Sequence, residues 1–208
     1  MAEPSGWWKS SPAAVVCYNY NEVKKMAKKI KADSNVKVVM DEVEVNRALR
    51  RIAHQIIEAN KGVHDVVLVG VMQRGVPLAK RLAEIIEKEE GKAVPIGALD
   101  VSLYRDDLTS KGKYIEVRKS EIPFPIEGKV VVLVDDVIFA GRTARSALDG
   151  LKDYGRAAKV QLAALIDRGH RELPIHPDFT GKVIPTAKKE AVKVEVMEVD
   201  GIDRVIIK

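Results

Sequence analysis

Val130-Val131-Val132-Leu133-Val134-Asp135-Asp136-Val137-Ile138-Phe139-Ala140-Gly141-Arg142-Thr143 decides how this chain is read. An apolar run of strand length passes directly into two adjacent carboxylates. A short loop with Gly141 follows, and then a helix that the pattern starts at Thr143. In open α/β sheets, ligands gather at the C-terminal ends of the strands. Backbone N–H groups at a helix N-terminus, helped by the Thr143 hydroxyl, make a pocket for a phosphate. Gly141 lets the backbone approach the anion closely. Two carboxylates beside such a pocket suit a ligand that also presents hydroxyls, as a ribose does. The segment lacks G-x-x-x-x-G-K-[ST], which separates it from the nucleoside-triphosphate loop.

The flanking sequence alternates strand and helix signals. Val36–Met40 reads as a short strand and Asp41 as an N-cap, with a helix to about Asn60 ended by Lys61-Gly62. Val66–Val71 is an apolar strand followed by the loop Met72-Gln73-Arg74-Gly75, and Pro77 sits near the first turn of a helix closing at Glu90-Gly91. Ile96–Leu103 is strand-like, and a polar stretch runs from Tyr104 to about Pro125. After the opening segment, the helix extends to Tyr154 and Val160–Ile166 forms another buried strand. Val192–Val199, Asp200-Gly201 and Val205–Ile207 read as a hairpin. Buried β-branched strands alternating with helices predict an α/β fold, a mainly parallel sheet covered on both faces.

Composition narrows the function classes. The chain of 208 residues has no apolar run near the ~20 residues that a membrane-spanning helix requires. No secretory h-region is evident and Cys17 is the only cysteine, so a reducing cytoplasm is the expected home. A net charge of +5 invites a nucleic-acid reading. Residues 1–40 carry +4 of that excess, and the remaining 168 residues only +1. The expected division is a basic N-terminal extension, 1–33, and one domain, 34–208. Within the extension, Val23, Met26, Ala27 and Ile30 recur at helical spacing among lysines. It reads either as an appended arm or as an arm that contacts RNA or a partner.

The opening segment resembles the phosphoribosyl-pyrophosphate (PRPP) signature of the type I phosphoribosyltransferases. Asn46–Gly62, Ser102–Thr109 (Ser-Leu-Tyr-Arg-Asp-Asp-Leu-Thr) and Ile166–Pro174 (Ile-Asp-Arg-Gly-His-Arg-Glu-Leu-Pro) further resemble the PyrR family. Its members are bifunctional pyrimidine-operon attenuation regulators and uracil phosphoribosyltransferases. The resemblance covers roughly residues 36–207. It implies the type I phosphoribosyltransferase fold with a small C-terminal hood, and transfer of phosphoribosyl from PRPP to uracil, giving UMP and pyrophosphate.

By that resemblance, Asp135 and Asp136 hold the ribose hydroxyls, while Val137, Ile138, Phe139, Ala140, Gly141, Arg142 and Thr143 wrap the 5′-phosphate. Gln73 and Arg74 belong to a pyrophosphate loop, with Thr more usual at 73. Arg105 opens a lid that reaches the leaving group; a plain insertion is the other reading. Arg168 lies near the nucleobase, and Val192 in the hood above it. Mg²⁺ is the implied cofactor, carried mainly by PRPP and pyrophosphate rather than by a protein cage. Phe139 and Ala140 stand where Tyr and Thr are common, which predicts a weakened phosphate site. Homodimers or homotetramers are implied.

The RNA reading has one feature of its own. At ~100° per residue, Val45, Leu49, Ile52 and Ile56 share one helix face, and Arg47, Arg50, Arg51 and His54 fall opposite. That face is either a solvated surface or a nucleic-acid contact. Arg171, His176 and Lys182 match positions at which the PyrR family binds pyrimidine-operon leader mRNA, with His176 in place of the usual Arg. UMP or UTP in the catalytic pocket is expected to favour that binding. A regulator with reduced or lost transferase activity, and a plain salvage enzyme without RNA binding, are the competing readings.

Overall fold

The computed structural model describes residues 36–104 and 119–208. Arg105 and the basic segment 19–33 lie outside the described residues. The elements run β1 (Lys37–Met40), α1 (Glu42–Asn60), β2 (Val66–Val71), α2 (Gly75–Glu90), β3 (Ile96–Leu99), β4 (Val130–Ile138), α3 (Arg142–Leu151), β5 (Lys159–Asp167), β6 (Phe179–Val183), β7 (Val192–Glu195), α4 (Met197–Asp200) and β8 (Arg204–Ile207). Five strands form a parallel sheet in the order β3-β2-β4-β5-β6. A separate antiparallel sheet, β1-β8-β7, is the small C-terminal sheet expected from the tail, here completed by the first strand. No helix among the described residues is long and apolar enough to cross a membrane.

Side-chain alternation along the buried strands divides the core in two. Leu68, Val132, Val134, Ala163 and Leu165 pack with α1, α2 and the small sheet. Val67, Val69, Val131, Leu133, Leu162 and Ala164 pack on the other face with Ala144, Ala147 and Leu151 of α3. Each helix covers its face with the stripe that its periodicity set; in α1 this is Val45, Ala48, Leu49, Ile52, Ala53 and Ile56. Asp41 caps α1 with a capping box, accepting from Glu44 N at 2.8 Å while Glu44 accepts from Asp41 N at 3.1 Å.

Four details depart from the sequence expectation. β4 does not end before the carboxylates, because it stays paired with β5 as far as Ile138 opposite Asp167. α3 starts at Arg142 and yields to a 3₁₀ turn over Lys152–Tyr154. β3 stops at Leu99 because Asp100 accepts from Ser102 N at 2.8 Å and Ser102 Oγ at 2.6 Å, folding the chain into a 3₁₀ turn. In the tail, the link between β7 and β8 holds the helical turn α4 rather than a two-residue hairpin turn.

Candidate active site

Two cavities meet at the C-terminal end of β4. The first, about 230 Å³, is lined by Asp135, residues 137–144 and Glu172. Gly141 has φ of +90°, a left-handed conformation at the N-cap of α3 that a side chain would strain. Its lack of a side chain leaves the first-turn N–H groups of α3 to whatever occupies the cavity. The loop is braced from behind: Ala140 O accepts from Glu172 N at 3.0 Å and from Leu173 N at 3.1 Å. Arg142 donates to Glu172 Oε2 at 2.9 Å across the mouth.

The second cavity, about 220 Å³, is lined by Met72, Gln73, Arg74, Asp135, Asp136, Val137 and Thr143. Asp135, Val137 and Thr143 thus border both cavities. The Met72–Gln73 peptide is cis. The loop comes this close to β4 because residue 75 is glycine: a Cβ there would lie 2.2 Å from Val134 O.

The surroundings push Asp136 and Asp200 in opposite directions. Burial pushes the Asp136 carboxyl up, against the Val137 N–H bond (2.8 Å) and the Arg74 charge that pull it down. Arg74 makes a two-pronged pair with Asp200 of α4, Nε to Oδ2 at 3.0 Å and Nη2 to Oδ1 at 2.8 Å. Those bonds raise the Arg74 guanidinium further and hold Asp200 down at about 2.

The structure distributes the other expected residues as follows. Arg168 is buried and donates to Thr186 Oγ1 (3.2 Å), Ala187 O (3.2 Å) and Glu190 O (2.7 Å), while its guanidinium lies on the Phe139 ring. Val192 begins β7 and packs half-buried against the larger core. The residues that line the two cavities do not include Arg168 or Val192.

Arg47, Arg50, Arg51 and His54 are exposed along α1. Arg51 donates to Gly181 O, and His54 faces Glu89 of α2 at 3.9 Å. Lys182 donates to Val39 O at 2.9 Å and lies 3.5 Å from Glu44, so β6 sets it beside the α1 group. His176 is exposed. Arg171 turns inward instead. It donates to Ile175 O (2.8 Å), Phe139 O (2.9 Å) and Gly169 O (3.3 Å), and pairs with Asp167 at 2.6 Å. Sequence reasoning missed Asp200 and Glu172, which meet the site only through tertiary pairing.

Comparison with known proteins bears on the family and the fold. The family model for the phosphoribosyl transferase domain matches residues 35–198. A relative from Thermus aquaticus named bifunctional protein PyrR is 58% identical over 167 residues, 80% of this chain and 92% of that protein. One of the same name from Thermoanaerobacter sp. is 56% identical over 179 residues, 86% and 98%. The solved hypoxanthine-guanine phosphoribosyltransferase of Bacillus anthracis has a TM-score of 0.63 at 20% identity, covering 83% of this chain and 97% of that one. Hypoxanthine phosphoribosyltransferase of Trypanosoma cruzi gives 0.63 at 18% identity, covering 82% and 95%. Identity that low speaks for the fold alone, whereas the sequence relatives match almost end to end. With the family model over residues 35–198 and relatives at 56–58% identity, the chain belongs to the PyrR family of phosphoribosyltransferases.

Proposed function

We propose that this chain transfers phosphoribosyl from PRPP to uracil, and that the same pocket, filled by a uridine nucleotide, favours binding of pyrimidine-operon leader mRNA. The observation that carries the first half is the wall shared by the two cavities. Asp135 borders both, so a ligand with a phosphate at each end of a ribose fits with its sugar at the acids. The α3 N-terminus and Thr143 take the 5′-phosphate, and Gln73 and Arg74 take the diphosphate. Asp135 and Asp136 accept from the ribose hydroxyls. In the reaction, N1 of uracil forms the new bond to ribose C1 as the C1–O bond to pyrophosphate breaks. The N1 proton is released, and both electrons of the broken bond leave with pyrophosphate.

Positive charge develops on the ribose in the transition state, and two acids fixed on a sheet strand face it without having to reorganise. Arg74 offsets the negative charge that grows on the leaving group. Among the described residues no cluster of three or more His, Cys, Asp or Glu could cage a metal. Two adjacent carboxylates beside a diphosphate site do fit Mg²⁺ held chiefly by substrate oxygens and water. Bound there, Mg²⁺ would neutralise diphosphate charge, with Asp135 and Asp136 as its protein neighbours.

Support for the RNA half is the exposed Arg47 and Arg50 face with Lys182 set next to it by β6. A chain of contacts leads from there to the pocket: Val183 is in register with Asp167, Asp167 pairs with Arg171, and Arg171 holds Phe139 O. Reduced transferase activity is favoured by Ala140, which lines the first cavity with a methyl group and no donor. UMP formation from uracil and PRPP with Mg²⁺ tests the enzyme. Filter binding to a pyrimidine-leader stem-loop, with and without UMP, tests the regulator. No UMP formed leaves a regulator alone; no RNA bound leaves a salvage enzyme, and RNA affinity unmoved by UMP removes the nucleotide-dependent regulation.

A further inference from the structure

Arg74 lines the second cavity, yet one edge of its guanidinium is committed elsewhere. Nε and Nη2 together grip the two oxygens of Asp200. A guanidinium has five N–H donors arranged on three edges. Side-on pairing through Nε and Nη2 leaves the Nη1 edge for an anion in the cavity. Asp200 therefore grips the arginine while leaving it N–H donors for an anion.

Asp200 is itself fixed. Its Oδ2 accepts from Val196 N at 3.1 Å, and Lys193 Nζ lies 3.6 Å from Oδ1. The turn that carries it is bolted to α2 by a second arginine. Arg81 pairs with Glu198 at 2.8 and 2.7 Å and with both oxygens of Asp203 at 2.9 Å. Asp203 in turn accepts from Met197 N at 2.7 Å. Val196, Met197, Glu198, Asp200 and Asp203 of the C-terminal connection are thus tied to one another or to α2, and Asp200 is the carboxylate that meets the cavity loop through Arg74.

We propose that Asp200 is a positioning residue that holds the Arg74 guanidinium at the wall of the second cavity, preset to receive the diphosphate of PRPP or released pyrophosphate. This rests on reading that cavity as the diphosphate site. It also makes the C-terminal connection between β7 and β8 part of the diphosphate machinery, although it touches no substrate atom. Fixing a flexible arginine in advance removes the cost of ordering it when the anion arrives.

The test is calorimetric titration of the full chain with inorganic pyrophosphate plus Mg²⁺, and separately with ribose 5-phosphate, which carries no diphosphate. Variants are Asp200→Asn, Asp200→Ala, Arg74→Ala and the Arg74→Ala/Asp200→Ala pair. Asp200→Asn and Asp200→Ala are expected to weaken pyrophosphate roughly tenfold while ribose 5-phosphate stays within about twofold. The double variant should be no weaker than Arg74→Ala alone. Asp200→Asn preserves shape, so the result does not depend on the alanine variant folding.

Multiplying losses in the double variant would overturn the proposal, since Asp200 would then act independently of Arg74. A parallel loss of ribose 5-phosphate would overturn it too, by showing general damage. Unchanged pyrophosphate affinity in both Asp200 variants, with a loss in Arg74→Ala, would sink the inference and leave the cavity reading standing. An Arg74→Ala variant with unaltered pyrophosphate affinity would sink the cavity reading, and the inference with it.

Discussion

The Arg168 guanidinium carbon stands 4.2 Å from the centre of the Phe139 ring, and the His170 ring meets the same phenyl edge-on at 6.1 Å between centroids. Phe139 belongs to the loop of the first cavity, and Arg168 opens the loop that follows β5. Because Arg168 is buried and also anchors Thr186, Ala187 and Glu190, the phenyl ring ties the loop of the first cavity to the segment leading into β7. An aromatic at 139 thus has a mechanical reason that owes nothing to a hydroxyl.

Phe139→Leu keeps an apolar wall and removes the π face under the cation. A cation–π contact of this kind is worth about 0.5–2 kcal/mol. UMP affinity is expected to fall roughly threefold to tenfold in Phe139→Leu and to be kept in Phe139→Tyr. Titration of UMP against the three proteins decides it, and equal affinity in Phe139→Leu removes the proposed link.

Ala140→Thr restores a hydroxyl to the wall of the first cavity. Its backbone is already held by Glu172 and Leu173, so only the side chain changes. A hydrogen bond to a charged phosphate contributes about 1.5–3 kcal/mol. The Michaelis constant for PRPP is therefore expected to drop roughly tenfold. No change would mean that the backbone donors and Thr143 already satisfy the phosphate.

The parts of the site that could be read in advance are those written locally. An apolar run, two acids, a glycine and a helix start lie within 14 consecutive residues, and each residue type serves a short-range need. The α1 stripe was equally legible, because its period of 3.6 is a property of neighbours. β6 was not. Phe179–Val183 is a short edge strand with a glycine at 181, where a Cβ would come within 2.4 Å of Leu165 O. That need exists only once β5 is alongside. β1 likewise pairs with β8, about 170 residues away, which no local pattern encodes. Arg171, matched by resemblance to an RNA-binding position, has partners that no local pattern encodes either: Asp167 and three backbone carbonyls.

That difference separates two kinds of arginine in RNA binding. If Arg47 or Arg50 neutralises an RNA phosphate, Arg47→Gln or Arg50→Gln should weaken stem-loop binding and flatten the log–log salt dependence by roughly one unit. Arg171→Gln is expected to leave the salt slope intact and to abolish the gain in RNA affinity given by UMP. Filter binding across a salt series, with and without UMP, reports both. A flattened slope in Arg171→Gln would make it a direct contact after all.

Burial opposes ionisation of the Asp136 carboxyl. Burial raises its carboxyl above the ordinary 3.8, so ionisation costs more in the folded chain than in the unfolded one. Its contribution to stability is complete at low pH and is lost as pH rises through the raised value. Asp136→Asn keeps an oxygen for Val137 N and removes the buried charge, so it should raise the unfolding midpoint at pH 7 while lowering transferase activity. Calorimetry at pH 4 and pH 7 checks the sign: the stabilisation should shrink at the lower pH, and a midpoint lowered at pH 7 would refute the argument.

Asp200 makes the opposite contribution. Its bonds from Arg74, then the Val196 N–H and the Arg74 and Lys193 charges, pull its carboxyl from 3.8 to about 2 although burial opposes them. A carboxyl lowered on folding stabilises the fold above its unfolded value, and that stability drains away as pH falls through the folded one. The window is therefore pH 4 to pH 2. Its size, allowing for solvent screening at a side chain 13% exposed, is about 1–2 kcal/mol. Denaturant unfolding at pH 7, 4, 3 and 2 should show Asp200→Asn weaker by that amount at pH 7, with the two curves converging near pH 2. Arg74→Ala should remove the same acid-sensitive portion, because the guanidinium creates it. An undiminished drop between pH 4 and pH 2 in Asp200→Asn would assign the acid response to other carboxylates, such as Glu195, which its bonds from Lys193 and Arg204 lower against burial.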